Sequence, residues 1–157
     1  MSQSVLVEHD EDALAASQIQ LATFEVGTVM MAIDIARVQE INRLMDVTPV
    51  PGASPMVHGV VNLRGDVVTV VNPHRILDVP ESDTSRSGRN LILNIDGERI
   101  GVLVDKVADI LTVQREQLSS PPSNVRSIDR RFIDSVYLQS NEVIIVLDPI
   151  GLLDSID

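Results

Sequence analysis

Gly59-Val60-Val61-Asn62-Leu63-Arg64-Gly65-Asp66-Val67-Val68-Thr69-Val70-Val71-Asn72-Pro73 reads as two apolar strands folded back at Arg64-Gly65-Asp66, followed by the short turn His74-Arg75-Ile76-Leu77-Asp78. Gly65 suits the bend because glycine accepts positive φ without a Cβ clash. Ser135-Val136-Tyr137-Leu138-Gln139-Ser140-Asn141-Glu142-Val143-Ile144-Ile145-Val146-Leu147-Asp148-Pro149 repeats the plan, then Ile150-Gly151-Leu152-Leu153-Asp154. A second pair precedes these: Val38-Gln39-Glu40-Ile41 matches Val107-Ala108-Asp109-Ile110, each after an apolar strand. The chain is therefore two related β-units in tandem. The first alone carries Asn62-Leu63-Arg64-Gly65, and function is expected where similar units differ.

Composition agrees with strands. Of 157 residues, 44% are hydrophobic but only 2% aromatic, and 23 Val and 15 Ile fill the space instead. Branched Cβ atoms favour pleated strands over helices, so an all-β fold with short helices is expected. The net charge of −11 makes nucleic acid and anionic membrane surfaces poor partners. No apolar run reaches the roughly 20 residues of a membrane span, and the N-terminus lacks the basic region of a signal peptide. There is no cysteine, hence no disulfide, thiolate metal site or cysteine nucleophile. A soluble cytoplasmic protein is expected.

The expected organisation is a flexible acidic leader at 1–17, a single domain at 18–153 and a tail at 154–157. The domain divides at about 18–79 and 80–153, with strand exchange between the halves allowed. In the first strand Ile19, Leu21 and Thr23 alternate with Gln18, Gln20 and Ala22. Gly27-Thr28 turns the chain into 29–33, Asp34-Ile35-Ala36-Arg37 is a tight corner, and 38–44 is a strand. A proline-rich loop precedes the central hairpin. The polar stretch 80–88 is expected to be exposed. Asp96-Gly97 marks a hairpin between 90–95 and 99–104, and 107–113 is a further strand. The segment 114–131 is mixed and polar, with room for a helical turn, and 132–138 with 142–147 form the last hairpin. Asp148 as N-cap and Pro149 at the first helical position predict a closing helical turn. Four hairpins in two similar sets imply two small barrels packed on a shared Val/Ile interface.

Catalytic chemistry is not indicated. His9, His58 and His74 form no ligand cluster of the kind a metal requires and read as structural or surface residues. The carboxylates read as a solvated acidic surface. The isolated glycines make neither a dinucleotide fingerprint nor a phosphate loop, and no nucleophile elbow is present. No catalytic residue, cofactor or metal is expected. Arg64 sits at the tip of its hairpin, where its planar fork suits a partner carboxylate or carbonyl; an internal salt bridge is the equal alternative. In Val38-Gln39-Glu40-Ile41, strand periodicity puts Val38 and Glu40 on one face and Gln39 and Ile41 on the other. That pattern fits partner docking as well as an ordinary half-buried strand.

Taken together, Ile33-Asp34-Ile35-Ala36-Arg37-Val38-Gln39-Glu40-Ile41, Pro49-Val50-Pro51, Val57-His58-Gly59-Val60-Val61-Asn62-Leu63-Arg64-Gly65, Val70-Val71-Asn72 and Gly101-Val102-Leu103-Val104-Asp105-Lys106-Val107 resemble the CheW family of chemotaxis coupling proteins over about Gln18 to Leu153. The resemblance implies two intertwined five-stranded SH3-like β-barrels sharing a hydrophobic core, and no enzymatic activity. It implies an adaptor that couples chemoreceptors to the regulatory domain of the histidine kinase CheA. Further implied partners are other CheW-like proteins in rings. Val38, Glu40 and Ile41 match the kinase-binding segment; Gly59, Asn62, Arg64, Gly65 and Ile110 match positions of receptor or kinase coupling. The chain departs from the family at Val71-Asn72-Pro73-His74-Arg75, where Val-Asp-Leu-Arg is frequent. It contains no kinase or receiver domain, unlike CheA and the CheV variant. Two other readings stay open: a small-molecule-binding β-barrel, and a CheW-like scaffold of a chemosensory pathway that does not drive motility.

Overall fold

The computed structural model describes residues 17–43, 46–77, 88–122 and 129–156; the leader, most of the polar stretch after 77 and part of the segment after Pro122 lie outside them. Among the described residues eleven strands run in chain order: β1 Gln18–Val26, β2 Val29–Asp34, β3 Val38–Arg43, β4 Val57–Leu63, β5 Asp66–Val71, β6 Arg89–Ile95, β7 Glu98–Val104, β8 Lys106–Gln114, β9 Leu118–Ser119, β10 Ile133–Gln139 and β11 Glu142–Leu147. Helices are short: α1 Pro73–Leu77 and α2 Pro149–Asp154. Both follow an Asn/Asp-Pro step, and the capping is the same. Asn72 Oδ1 accepts the His74 amide and Asp148 Oδ1 the Ile150 amide, each at 3.0 Å. Among the described residues no helix is long and apolar enough to cross a membrane.

The strands form two sheets, ordered β8-β1-β2-β11-β10-β9 and β3-β6-β7-β5-β4. Each sheet draws on both sequence halves. The β1–β2 hairpin joins the six-stranded sheet by pairing β2 in parallel with β11, Met31 opposite Ile145. The β6–β7 hairpin joins the five-stranded sheet by pairing β7 in parallel with β5, Gly101 opposite Val70. The two units thus exchange their first hairpins reciprocally. Each sheet then curls onto itself through the segment after its third strand. In one, the two-residue β9 pairs with β10; in the other, a single bridge joins Thr48 to Val60 of β4.

The exchange explains the apolar runs. Val61, Leu63, Val68, Val70 and Ile92 fill one barrel, and Leu21, Ala32, Val113, Ile144 and Val146 fill the other. A third and largest cluster lies between them and takes Phe24, Met31, Ile33, Leu91, Leu93, Ile95, Ile100 and Leu147 from both sheets, with Phe132 from the turn before Ile133. Strands on this seam bury both faces. That corrects the alternation expected for β1: Leu21, Ala22, Thr23 and Phe24 are all buried, Leu21 inside its barrel and Ala22 and Phe24 in the seam.

Candidate docking site

Strand β3 is an edge of its sheet, paired only with β6. A register shift between Val38 and Glu40 makes Gln39 an extra residue, as in a bulge. Val38 turns inward against the shared core. Glu40 is half-buried, and Ile41 projects with 45% of its surface exposed. The predicted alternation therefore holds, but its three residues do not make one apolar face: Ile41 points outward and Val38 does not.

The β4–β5 hairpin comes to the opposite edge of the same barrel. Arg64 and Gly65 adopt φ of 53° and 90°, the tight turn whose twist matches a hairpin. Asn62 Oδ1 accepts the Gly65 amide at 2.9 Å and pins the turn. Asn94 does the same for Gly97 in the β6–β7 hairpin. Arg64 Nη2 donates to Glu40 Oε2, so the ion pair straddles the barrel's two edges. The internal salt bridge is thus formed, yet the Arg64 side chain stays 70% exposed and Glu40 only 21%. The guanidinium still faces solvent from the hairpin tip. Beside it, Asn62 and Val67 stand opposite each other, both exposed. Leu63, inside the Asn62–Gly65 string, is buried in the barrel.

Gly59 is buried, and its backbone meets the closing segment. A Cβ there would press on the Val47 side chain and stand 2.5 Å from the Thr48 carbonyl oxygen. Its position is set by the Thr48–Val60 bridge and leaves no side chain for a partner to touch. Ile110 lies on the other sheet, on β8 opposite Ala22, and is 57% exposed. The structure therefore brings Glu40, Ile41, Asn62, Arg64 and Gly65 to one end of the five-stranded barrel and leaves Ile110 on its neighbour. Ile110 is the counterpart of Ile41 in the repeat. Leu138 and Val143, opposite each other on β10 and β11 and both exposed, are the counterparts of Asn62 and Val67. Sequence reasoning overlooked these last three apolar residues. The repeat alignment together with strand alternation was the signal that could have found them.

Among the described residues no group of three or more His, Asp or Glu could hold a metal ion, and the barrel interiors are filled with aliphatic side chains. Fold and exposed face together define an all-β paired-barrel protein whose distinctive features lie on its surface. The chain belongs to the CheW-like domain family, whose model matches residues 20–157. Relatives include the chemotaxis protein CheW of Treponema pallidum, 34% identical over 141 residues covering 87% of this chain and 82% of that one. The chemotaxis protein CheW of Bacillus subtilis is 29% identical, with 86% of each chain covered. The crystal structure of the scaffolding protein TtCheW from Thermoanaerobacter tengcongensis has the same fold: TM-score 0.77 at 23% identity, covering 83% of this chain and 84% of that one.

Proposed function

We propose that this protein is a non-enzymatic, cytoplasmic adaptor that couples the cytoplasmic tips of chemoreceptors to the regulatory domain of the kinase CheA within membrane-associated arrays. The observation that carries the reading is the end of the five-stranded barrel. An apolar anchor, Ile41, stands beside a guanidinium at a rigid turn, in a chain whose net charge is −11. Apolar anchors supply affinity and charged groups supply register and specificity. Val38 and Glu40 act in the kinase contact by shaping strand β3 and orienting Arg64. Asn62 and Gly65 hold the turn that presents Arg64, and Gly59 keeps the barrel closed beneath it. Ile110, and the facing pair Leu138 and Val143, give the second barrel exposed apolar side chains for another partner, including a further CheW-like protein.

Calorimetric titration with the regulatory domain of a CheA from the same cell tests the reading. Saturable binding is expected for the intact protein, and Ile41→Glu should weaken it at least tenfold, about 1.4 kcal/mol, while the fold persists. Failure to bind any such kinase domain would return the function to an open question without disturbing the fold.

A further inference from the structure

One buried polar cluster plays no part in that docking face. Asn72, His74 and Asp105 are 1%, 4% and 8% exposed, and they lie where the two sheets meet. Asn72 directly follows β5 and His74 lies in α1, both attached to the five-stranded sheet. Asp105 links β7 to β8, and Gly27 turns β1 into β2 of the six-stranded sheet. His74 Nδ1 is 3.0 Å from Asn72 Oδ1 and Nε2 is 3.0 Å from Asp105 Oδ2. Each of those oxygens also accepts a backbone amide: Asn72 Oδ1 that of His74 at 3.0 Å, Asp105 Oδ2 that of Gly27 at 2.6 Å. The first of these fixes the Asn72 side chain, because the flipped amide would aim its NH2 at an N–H donor. An ionised carboxylate is acceptor-only. Both ring nitrogens therefore face acceptors, and a neutral imidazole has one N–H to offer.

We propose that His74 is a proton-operated clasp between the two barrels. Carrying both ring protons, it bonds Asn72 at the end of the five-stranded sheet. Its other N–H bonds Asp105, which holds the β1–β2 turn of the six-stranded sheet. When one proton leaves, one bond is lost and the join loosens. Asp105 is the acidic group against the ring among the described residues. Arg75 is turned away, its Nη1 donating to the carbonyl oxygens of Pro55 and Val57 at 2.8 and 3.4 Å, and Glu25 and Lys106 stand opposite each other across β1 and β8. Charge-assisted bonds in a buried site are the strong ones, so this single proton bears on how firmly the barrels are held. The clasp does not depend on the adaptor reading.

Long-range 1H–15N NMR of the intact, histidine-labelled protein reads the ring directly, with His74 assigned through its own backbone. At the acidic end of the folded range both His74 nitrogens, each facing an acceptor, should carry protons. The Gly27 amide signal should move when the ring loses one. A ring with a single proton throughout the folded range would overturn the clasp, as would a titration that leaves the Gly27 amide unmoved. Thermal melts give the second readout: His74→Gln should melt roughly 2 to 4 °C below wild type, the scale of one net hydrogen bond in a chain of this size, and an unchanged melting temperature would refute the proposal.

Discussion

Arg64 breaks a local rule. It occupies a left-handed turn position at φ 53°, where asparagine or glycine fits with less strain. What it gains inside the molecule is one ion pair with Glu40, and with the arginine 70% exposed such a pair is worth about 0 to 1 kcal/mol. Arg64→Asn should thus relieve the turn and lose the pair, leaving the melting temperature within a few degrees of wild type. If Arg64 is retained for a partner, the same variant should weaken kinase or receptor binding tenfold or more; unchanged affinity would leave the ion pair as its whole purpose. Gly59 makes the opposite case. Gly59→Ala forces a Cβ against Val47 and the Thr48 carbonyl, an overpacking of about 1 to 3 kcal/mol. It should lower the denaturation midpoint, and any binding defect should follow the loss of folded protein. The sequence marked both residues but could not separate these roles. A strand glycine and an arginine at a hairpin tip are visible as residue types, whereas the backbone pressed against Gly59 comes from 11 residues earlier in the chain and Glu40 from 24 residues before Arg64.

At the level of elements, the hairpins were legible because their turns are local. Arg64-Gly65 and Asp96-Gly97 both form tight turns with positive φ at each residue, and Asp148-Pro149 starts a helix as its capping chemistry requires. Two features were not legible. The both-face burial of β1 depends on the second barrel, which lies outside any local window. The contact of α2 with the turn before β10 depends on an approach that no residue pattern announces. A Cβ on Gly151 would overlap the carbonyl oxygen of Arg131, while Asp148 N donates to Phe132 O at 2.9 Å. Helix α2 is thereby seated on the shared core through Leu152. Gly151→Ala should unseat it and cost several times more than Asp148→Ala, for which loss of the N-cap is worth about 1 kcal/mol. Urea denaturation of the two variants compares them; equal midpoints would mean that the close approach relaxes easily and does not hold the helix.

Across the whole molecule, the pairing of units matters more than the strands themselves. The repeat in the sequence points to two tandem units, yet each barrel borrows its central hairpin from the other. Without β6 and β7, the first half keeps the β4–β5 hairpin and a β3 with no strand beside it, because β3 reaches β5 in the sheet through β6 and β7. Its β1–β2 hairpin would expose Phe24, Met31 and Ile33, which pack in the shared cluster. The second half without β1 and β2 suffers the same fate, since β8 reaches β11 only through them. A lone two-stranded hairpin is marginal in water, so neither half can build its own core. Fragments cut at about residue 79, within the stretch joining α1 to β6, should each be unfolded by circular dichroism and amide NMR. Mixed in equal amounts, they should recover the dispersed spectrum of the intact chain, slowly, because every inter-fragment pairing is non-local. A first half that folded by itself would mean that its hairpin can close back on β3–β5. The exchange would then be a choice made by the full chain and not a necessity of either unit.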